Sequence, residues 1–323
     1  MVVDGLVSTI IPVFNRAELL REAVDSVLAQ DYRSFEIVIV DDGSTDDTGA
    51  AAERMAAAHP DRLRTLHVAN GGPGTAREAG RRMARGEFIQ YLDSDDLLLP
   101  GKFSAQVAGL RANGSCGVAY GKTRFYRLGE RPRDEAWKRT GEKFDTMFPA
   151  FLRSRWWGTS TPLYRRRVTD AAGPWTDLRN EEDWEYDCRI AAQGVALWRS
   201  NDFVSDHRDH PGARLSQEGS LDSRKLADRA KAHAAIFGHA LSAGLGPGVP
   251  EMEHFARELF LLARQCGAAG LSADAERLFA MAREASGPQR AQGLDFRLYR
   301  MVAGLIGWDN AGRIACRLDR LRP

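Results

Sequence analysis

Carboxylates follow two apolar segments in the first hundred residues of the chain. Asp41 and Asp42 come directly after one segment, and Asp93, Asp95 and Asp96 come directly after another. Residues two apart in an extended chain point the same way, so Asp93 and Asp95 can approach one ion or one ligand. Their oxygen donors suit a hard cation, Mg²⁺ or Mn²⁺, which would also offset the repulsion among the acids.

The apolar segments that precede these acids alternate with helical patterns, which predicts βαβ units. We therefore expect an α/β fold with an open, mostly parallel sheet flanked by helices. The carboxyl ends of parallel strands meet at one edge of such a sheet, and ligands bind there. The strands expected from the pattern are Val7–Val13, Phe35–Val40, Leu63–Val68 and Phe88–Leu92.

The length of 323 residues and the hydrophobic content of 43% suffice for a main domain with an appendage. We expect the main domain over residues 1–220 and a helical region over residues 221–323. The helical region would contain a helical hairpin, Met252–Cys266 and Ser272–Glu284, and a basic amphipathic helix over Phe296–Leu321.

The overall charge excludes some partners. Lys and Arg number 45 against 44 Asp and Glu, so no global field draws the chain to nucleic acid or to an acidic membrane, and any partner must be bound by local features. The four cysteines show no CxxC spacing, which argues against a zinc site or a disulfide framework. Neither a signal peptide nor a long apolar run is present in the sequence, so we expect a cytoplasmic protein, with the inner face of the membrane as a second location.

Four motifs in order then carry a family resemblance. They are Ile10-Ile11-Pro12-Val13-Phe14-Asn15-Arg16, Ser26-Val27-Leu28-Ala29-Gln30, Val38-Ile39-Val40-Asp41-Asp42-Gly43-Ser44-Thr45-Asp46 and Tyr91-Leu92-Asp93-Ser94-Asp95-Asp96. Over roughly residues 5–215 the chain resembles the inverting family 2 glycosyltransferases of GT-A fold. The resemblance makes residues 1–220 the catalytic domain.

The resemblance implies a site for a nucleotide-diphosphate sugar. Pro12, Phe14 and Asn15 would lie at the nucleobase pocket, and Asp42 would bind the base or ribose. Asp93 would lie near the ribose and metal, with Asp95 as the direct ligand of Mn²⁺ or Mg²⁺. Asp96 has a second interpretation, as a cap of the helix after Pro100. Arg77 would reach donor phosphate, although the following Glu78, where the family commonly has Asn, could pair with it instead.

Further along the chain, the resemblance implies the catalytic base. The sequence Glu181-Glu182-Asp183-Trp184-Glu185 resembles the family's Glu-Asp motif, which makes Asp183 the predicted base and Glu182 its alternative. The segment Trp156-Trp157-Gly158-Thr159-Ser160 could form a wall of the sugar or acceptor site. His207 and Arg208, expected in a polar loop, would close over the diphosphate, and His207 could also reach the metal.

The expected function is transfer of a sugar to an acceptor hydroxyl, with inversion, in surface polysaccharide or glycan assembly. The acceptor would be a saccharide or a lipid-linked molecule. Alternatives are a sugar nucleotidyltransferase, disfavoured because the first strand end has no glycine-rich loop, a phosphatase with an aspartate nucleophile, and a non-catalytic nucleotide-sugar binding protein.

The C-terminal helix has two interpretations. Its mixture of apolar residues and arginines is typical of a helix that lies on a membrane surface, which would suit a lipid-linked acceptor. A helix that packs on the rest of the protein with a solvated arginine face would show the same composition.

Overall fold

The computed structural model describes residues 2–210 and 222–320. The chain divides into two units. The first comprises Met1–Met147, Trp156–Asp177 and Val195–Ala213, and the second comprises Phe148–Arg155, Leu178–Gly194 and Arg214–Pro323. The boundary predicted at residues 220 and 221 lies outside the described residues. Two segments from before that boundary belong to the second unit.

One sheet organises the first unit, with its strands in the order β3-β2-β1-β4-β7-β6-β8-β5. Strands β1 to β4 pair in parallel, and so do β6 and β8. The pairs β4–β7, β6–β7 and β5–β8 are antiparallel. The predicted open, mostly parallel sheet is confirmed, and its antiparallel part is an addition to the prediction. The strands are β1 (Val3–Val13), β2 (Phe35–Asp41), β3 (Leu63–His67), β4 (Gly86–Tyr91), β5 (Leu97–Leu98), β6 (Cys116–Arg127), β7 (Leu163–Arg165) and β8 (Ala196–Asp209).

Helices cover this sheet because its central strands are apolar on both faces. Every residue of β2 is buried, as expected for an inner parallel strand. Helix α1 contributes Leu20, Val24 and Val27 to the same core cluster as Ile37 and Ile39. Burial of each such side chain contributes about 1.5–3 kcal/mol. The helices of this unit are α1 (Ala17–Leu28), α2 (Thr48–Ala58), α3 (Pro73–Met83), α4 (Lys102–Ala112) and α5 (Arg166–Ala172).

The turn between β1 and α1 differs from the capping box that the spacing of Asn15 and Glu18 predicts. Arg16, rather than Asn15, is the residue that precedes the helix. Asn15 adopts a left-handed backbone conformation with φ of 51°, which asparagine tolerates better than most residues. Its side chain binds Thr45 and its backbone N–H donates to Ser44. This asparagine therefore joins the loops after β1 and β2.

The second unit is helical over its described residues. It contains a short 3₁₀ helix (Ala150–Leu152), α6 (Glu182–Ala191), α7 (Ser223–Ser242), α8 (Pro250–Ala268), α9 (Ser272–Ala285), α10 (Gly287–Arg290) and α11 (Leu294–Arg320), the last broken at Gly307. Helices α8 and α9 form the predicted hairpin. Phe260 of α8 contacts the rings of Phe279 in α9 and Phe296 in α11 at 5.6 and 4.8 Å between centroids. Within residues 2–210 and 222–320, no helix combines the length and the apolar character needed to cross a bilayer.

Candidate functional site

Asp42 fixes the loop that leads into α3. Its two carboxylate oxygens accept the backbone N–H groups of Gly71 at 2.7 Å and Gly72 at 2.9 Å. The Asn70 side chain donates to the Asp42 carbonyl oxygen at 2.9 Å. Asp42 is 5% exposed. This carboxylate therefore holds the carboxyl end of β2 against the segment that follows β3.

The end of β1 presents an aromatic ring. Pro12 is buried in the strand opposite Val40, whereas Phe14, two residues on, is 43% exposed. A phenylalanine ring on the surface at the carboxyl edge of a parallel sheet offers an apolar face on which a planar base can stack. The structure thus brings Phe14 and Asp42 to the ends of two neighbouring parallel strands.

Arg77 of α3 binds Asp93, which follows β4. The Arg77 Nη2 to Asp93 Oδ1 distance is 2.7 Å, and the guanidinium group also lies over the Trp175 ring at 4.8 Å. Glu78 binds Arg81 and Arg82 instead, at 2.8 Å each. Glu78 therefore has its own cations, and Arg77 remains directed toward the acidic strand end.

Asp95 accepts from side chains of the loop after β1 and the end of β8. Its Oδ2 lies 2.6 Å from Arg16 Nη1 and 3.0 Å from His210 Nε2. Arg208 Nε donates to the Asp95 backbone carbonyl oxygen at 2.6 Å. Burial alone would raise the pKa of Asp95, but Arg16 and His210, with His207 nearby, hold that pKa below its ordinary value. Asp95 is therefore an anion in a cationic setting.

Asp96 has a different environment from its neighbour. It accepts from Ser160 Oγ at 2.8 Å and from the Arg208 backbone N–H at 3.2 Å, and His207 Nδ1 lies 3.1 Å from its Oδ1. Burial raises the pKa of Asp96 above its ordinary value despite His207. The interpretation of Asp96 as a helix cap is wrong, because Gly101 precedes α4 and Asp96 is occupied by Ser160 and β8.

His207 and Arg208 lie on strand β8, which corrects the expectation that they occupy a loop. The strand extends this far because it pairs with the long strand β6, with His207 opposite Phe125. Burial lowers the pKa of His207, but Asp96 more than offsets this, so the net shift is upward. The Trp137 ring stacks on His207 at 4.5 Å between centroids, with 11° between the planes.

Arg208 is 3% exposed, so it acts as a buried cation. Its guanidinium group contacts the Asp95 carbonyl oxygen and the Glu22 carboxylate of α1. These contacts join β8, the acidic strand end and α1.

Two of the three residues predicted to hold a metal supply suitable donor atoms. Asp93 and Asp95 offer carboxylate oxygens, and their side chains are 28% and 16% exposed. Over residues 2–210 and 222–320, no three His, Cys, Asp or Glu side chains form a ready metal-binding group. Mg²⁺ and ions like it are commonly held by one or two carboxylates with substrate phosphates completing the shell. Asp93 and Asp95 fit that pattern, while His207 is engaged with Asp96.

The second unit carries the predicted base at the start of α6. Asp183 Oδ2 lies 2.7 Å from Arg155 Nη1, and Arg155 Nε lies 2.7 Å from Asp187 Oδ2. The Trp184 backbone N–H donates to Asp183 Oδ1 at 2.7 Å. The side chain of Asp183 is 29% exposed and that of Asp187 is 1% exposed. One arginine therefore orients an accessible carboxylate and neutralises a buried one.

The residue before α6 fixes where this helix begins. Glu181 has a left-handed backbone with φ of 60°, and its carboxylate binds Arg229 and His233 of α7 at 2.9 and 3.0 Å. Glu182 is 6% exposed, compared with the partly open Asp183 side chain. Accessibility to a substrate hydroxyl therefore favours Asp183 over Glu182.

The sequence does not point to several residues of these sites, among them Arg155, Asp187 and Trp137. The spacing of Asp183 and Asp187 is a usable signal, since residues four apart share one helix face. The sequence gives no comparable signal for Trp137. Trp156 and Trp157, expected to line a sugar site, are 1% and 0% exposed and contact Tyr120 in the interior. That expectation is wrong, because these rings present no surface to a ligand.

Comparison with known proteins identifies the family to which part of this chain belongs. Residues 8–167 match the sequence model described as Glycosyl transferase family 2. Over those residues, the chain belongs to glycosyl transferase family 2. The match contains the strand-end residues from Pro12 to Asp96, and it ends before α6.

Curated relatives match short segments. An uncharacterized glycosyltransferase of Rickettsia felis is 45% identical over 102 residues, which are 32% of this chain and 17% of that protein. Glycosyltransferase GlyG of Streptococcus pneumoniae is 39% identical over 94 residues, 29% of this chain and 31% of GlyG. The match thus spans less than a third of the length of either relative.

Solved structures show the same fold over the full length of the chain. S. aureus TarS 1-349 in complex with UDP-GlcNAc has a TM-score of 0.67 at 19% identity, and the match covers 97% of this chain and 92% of TarS 1-349. Mannosyltransferase PcManGT from Pyrobaculum calidifontis, in complex with GDP-Man and Mn²⁺, has a TM-score of 0.53 at 22% identity, covering 98% and 87%. The GT-A fold expected from the sequence is confirmed.

Proposed function

We propose that this protein is an inverting glycosyltransferase that uses a nucleotide-diphosphate sugar. The observation that carries the proposal is the acidic edge of the sheet in the first unit. There Asp42 follows β2, and Asp93 and Asp95 follow β4, within a segment of glycosyl transferase family 2. Ligands of open α/β sheets bind at this edge. The nucleotide sugars bound by TarS and PcManGT support the same donor class.

The donor's base would stack on Phe14, with Pro12 and Asn15 shaping that side of the pocket. Asp42, an acceptor-only side chain when ionised, would accept from the base or ribose. Arg77 and Arg208 would add positive charge near the diphosphate.

A divalent cation, Mn²⁺ or Mg²⁺, would be held by Asp95 with Asp93, with His207 as the third predicted ligand. When bound, such an ion stabilises the negative charge that develops on a leaving diphosphate. Residues of this chain would position the ligands of the cation. Arg16 and His210, which contact Asp95, would orient the Asp95 carboxylate.

The base would be Asp183, with Glu182 as the alternative. Asp183 would take the proton of an acceptor hydroxyl as the hydroxyl oxygen attacks the anomeric carbon. The bond from that carbon to the diphosphate oxygen would break on the opposite side, which inverts the configuration. Arg155 would keep the Asp183 carboxylate in place for proton transfer. General base catalysis contributes about 10²–10⁴-fold to such a step.

The acceptor proposed is a saccharide or lipid-linked hydroxyl, in assembly of a surface polysaccharide or another glycan. GlyG is named a glycosyltransferase, PcManGT is named a mannosyltransferase, and TarS 1-349 binds UDP-GlcNAc. These likenesses support a glycan acceptor. The cytoplasm is the proposed location.

The test is a thermal-shift panel with Mn²⁺ and UDP-, GDP- and dTDP-sugars, with a CMP-sugar as the control that lacks a diphosphate. One diphosphate donor should raise the Tm, and EDTA should remove the shift. A chain stabilised by none of these donors would contradict the proposal.

Product analysis then separates the transferase from its rivals. A transferase releases nucleoside diphosphate in step with acceptor glycosylation. Release of pyrophosphate from a nucleoside triphosphate and a sugar 1-phosphate would instead identify a sugar nucleotidyltransferase. Binding without any turnover, across a panel of saccharide and lipid-linked acceptors, would leave a nucleotide-sugar binding protein.

A further inference from the structure

Helix α11 carries apolar side chains on two opposite faces. One face, with Phe296, Tyr299 and Ala303, is buried in the second unit at 3%, 8% and 4% exposure. The other consists of Leu294, Leu298, Met301 and Leu305, which are 82%, 58%, 56% and 77% exposed. We call these four residues the α11 apolar face. Packing within the second unit explains the first face and leaves the α11 apolar face unexplained.

The spacing makes this face a continuous stripe. Its members are four, three and four residues apart, which places them one above another along one side of a helix. Single exposed apolar residues are ordinary on protein surfaces, but a contiguous apolar stripe marks an interaction site. The stripe is therefore a surface for a partner.

The charges beside the stripe identify the kind of partner. Arg297 and Arg300 are exposed on the same turns. In the part of the chain that the structure describes, neither guanidinium group contacts a carboxylate. The acidic residue of this half of α11, Asp295, is bound to Arg290. On this half of α11 the exposed arginines therefore leave a net positive charge, because its one carboxylate is paired with Arg290.

The second half of the helix repeats this combination. After the break at Gly307, Ile314 and Leu318 are 47% and 56% exposed, and Arg313 and Arg317 are exposed next to them. The acids of this half are bound within the unit, Asp309 to Ser272 and Asp319 to Arg264. In the part of the chain that the structure describes, both halves thus pair exposed apolar residues with exposed arginines that contact no carboxylate.

We propose that the α11 apolar face and its arginines bind the surface of an anionic membrane. Apolar side chains would enter the boundary between headgroups and acyl chains, and the arginines would contact the anionic headgroups. The charge of the surface favours this occupant over a second copy of the chain, since two copies would bring the same arginines together. The inference does not depend on the proposed function, because vesicle binding needs neither donor nor acceptor.

The experiment is flotation of the full chain with vesicles of phosphatidylcholine alone and of phosphatidylcholine with phosphatidylglycerol. We expect binding to the anionic vesicles, weakened by added salt because screening acts on exposed charges. The double variant Leu298→Ser and Leu305→Ser should lose that binding. The double variant Arg297→Gln and Arg300→Gln should weaken it by about tenfold or more, since each arginine near an anionic surface contributes about 1 kcal/mol.

Matched controls come from exposed residues elsewhere in the same unit. Leu241→Ser on α7 and Arg257→Gln on α8 should leave vesicle binding unchanged, and circular dichroism should show that every variant is folded. Three results would overturn the proposal: a wild-type chain that stays unbound, a Leu298→Ser and Leu305→Ser variant that still binds, or self-association through this face without vesicle binding.

Discussion

The acidic strand end of the first unit and the pair Asp183 and Asp187 on α6 of the second unit balance their charges differently. At the strand end, the carboxylates draw cations from separate parts of the chain, with Arg77 on Asp93 and with Arg16 and His210 on Asp95. At α6, one group, Arg155, serves both Asp183 and Asp187.

This difference determines how each region responds to the loss of one cationic partner. A carboxylate with two cationic partners keeps one of them when the other is removed. A buried carboxylate that shares one arginine loses its ion pair with that arginine when the arginine is removed, and such a loss is costly in the interior. The strand end is therefore suited to exchange one cation for another, as donor and metal binding would require, whereas α6 is suited to hold a fixed geometry.

The largest effect should come from the carboxylate that α6 presents. We expect Asp183→Asn to lower kcat by at least about 100-fold, because the variant cannot accept the acceptor's proton. Donor binding, measured by thermal shift, should survive. Glu182→Gln is the matched control and should retain most of the turnover. If Glu182→Gln is the inactive variant and Asp183→Asn is active, the base is Glu182.

Substitutions at the acidic strand end should weaken donor binding and should not act on turnover alone. Asp95→Asn is expected to weaken Mn²⁺-dependent donor binding by more than about tenfold, because the variant loses an anionic metal ligand. Isothermal titration with and without EDTA measures the effect. Asp61→Asn, at an exposed position, is the control. Equal affinities of Asp95→Asn and wild type in Mn²⁺ would remove Asp95 from the site.

Stability tests the contrast between shared and separate cations. Arg155→Met should lower the free energy of unfolding by about 3 kcal/mol, since Asp187 is buried and loses its ion pair with Arg155. Urea denaturation measures this, and a second substitution, Asp187→Leu, should restore much of the loss. Arg16→Met should cost less, because Asp95 keeps His210. Similar losses in the free energy of unfolding for Arg155→Met and Arg16→Met would contradict the difference between shared and separate cations.

The smallest effect on stability is expected at His67, a titratable cation that two carboxylates share. His67 lies between Glu53 and Asp41 at 2.7 and 3.0 Å, and these carboxylates raise its pKa above the ordinary 6.5. A raised pKa stabilises the fold below the unfolded pKa, and this contribution is lost as pH rises through the folded pKa. His67→Gln should therefore lower Tm at about pH 6 more than at about pH 9. An equal change at both values would contradict it.

The regular part of the fold was predictable because it depends on local patterns. The apolar run Val38–Val40 and the alanine-rich stretch Thr48–Ala58 correspond to β2 and α2 as observed. The antiparallel strand β7 was not, since its three residues carry no periodicity and their place is set by pairing with β4 and β6.

The candidate site, like the fold, was predictable only where it depends on local patterns. Asp42, Asp93 and Asp95 were predictable because they end strands, whereas the partners that neutralise them come from distant residues. Arg16 and Asp95 are 79 residues apart, and no local pattern encodes such a pairing. His207 was assigned to a loop because the strand that carries it is polar, and its extension depends on β6.

The two bonds from Asp42 to the glycine amides have a consequence for any ligand at this edge. They fix the segment Asn70–Gly72 from within the protein, through the Asp42 carboxylate and backbone N–H groups. A binding site whose wall is built in advance loses little affinity to the ordering of that wall. A nucleotide arriving there would meet a preorganised rim, and selectivity among bases would come from the side chains around it.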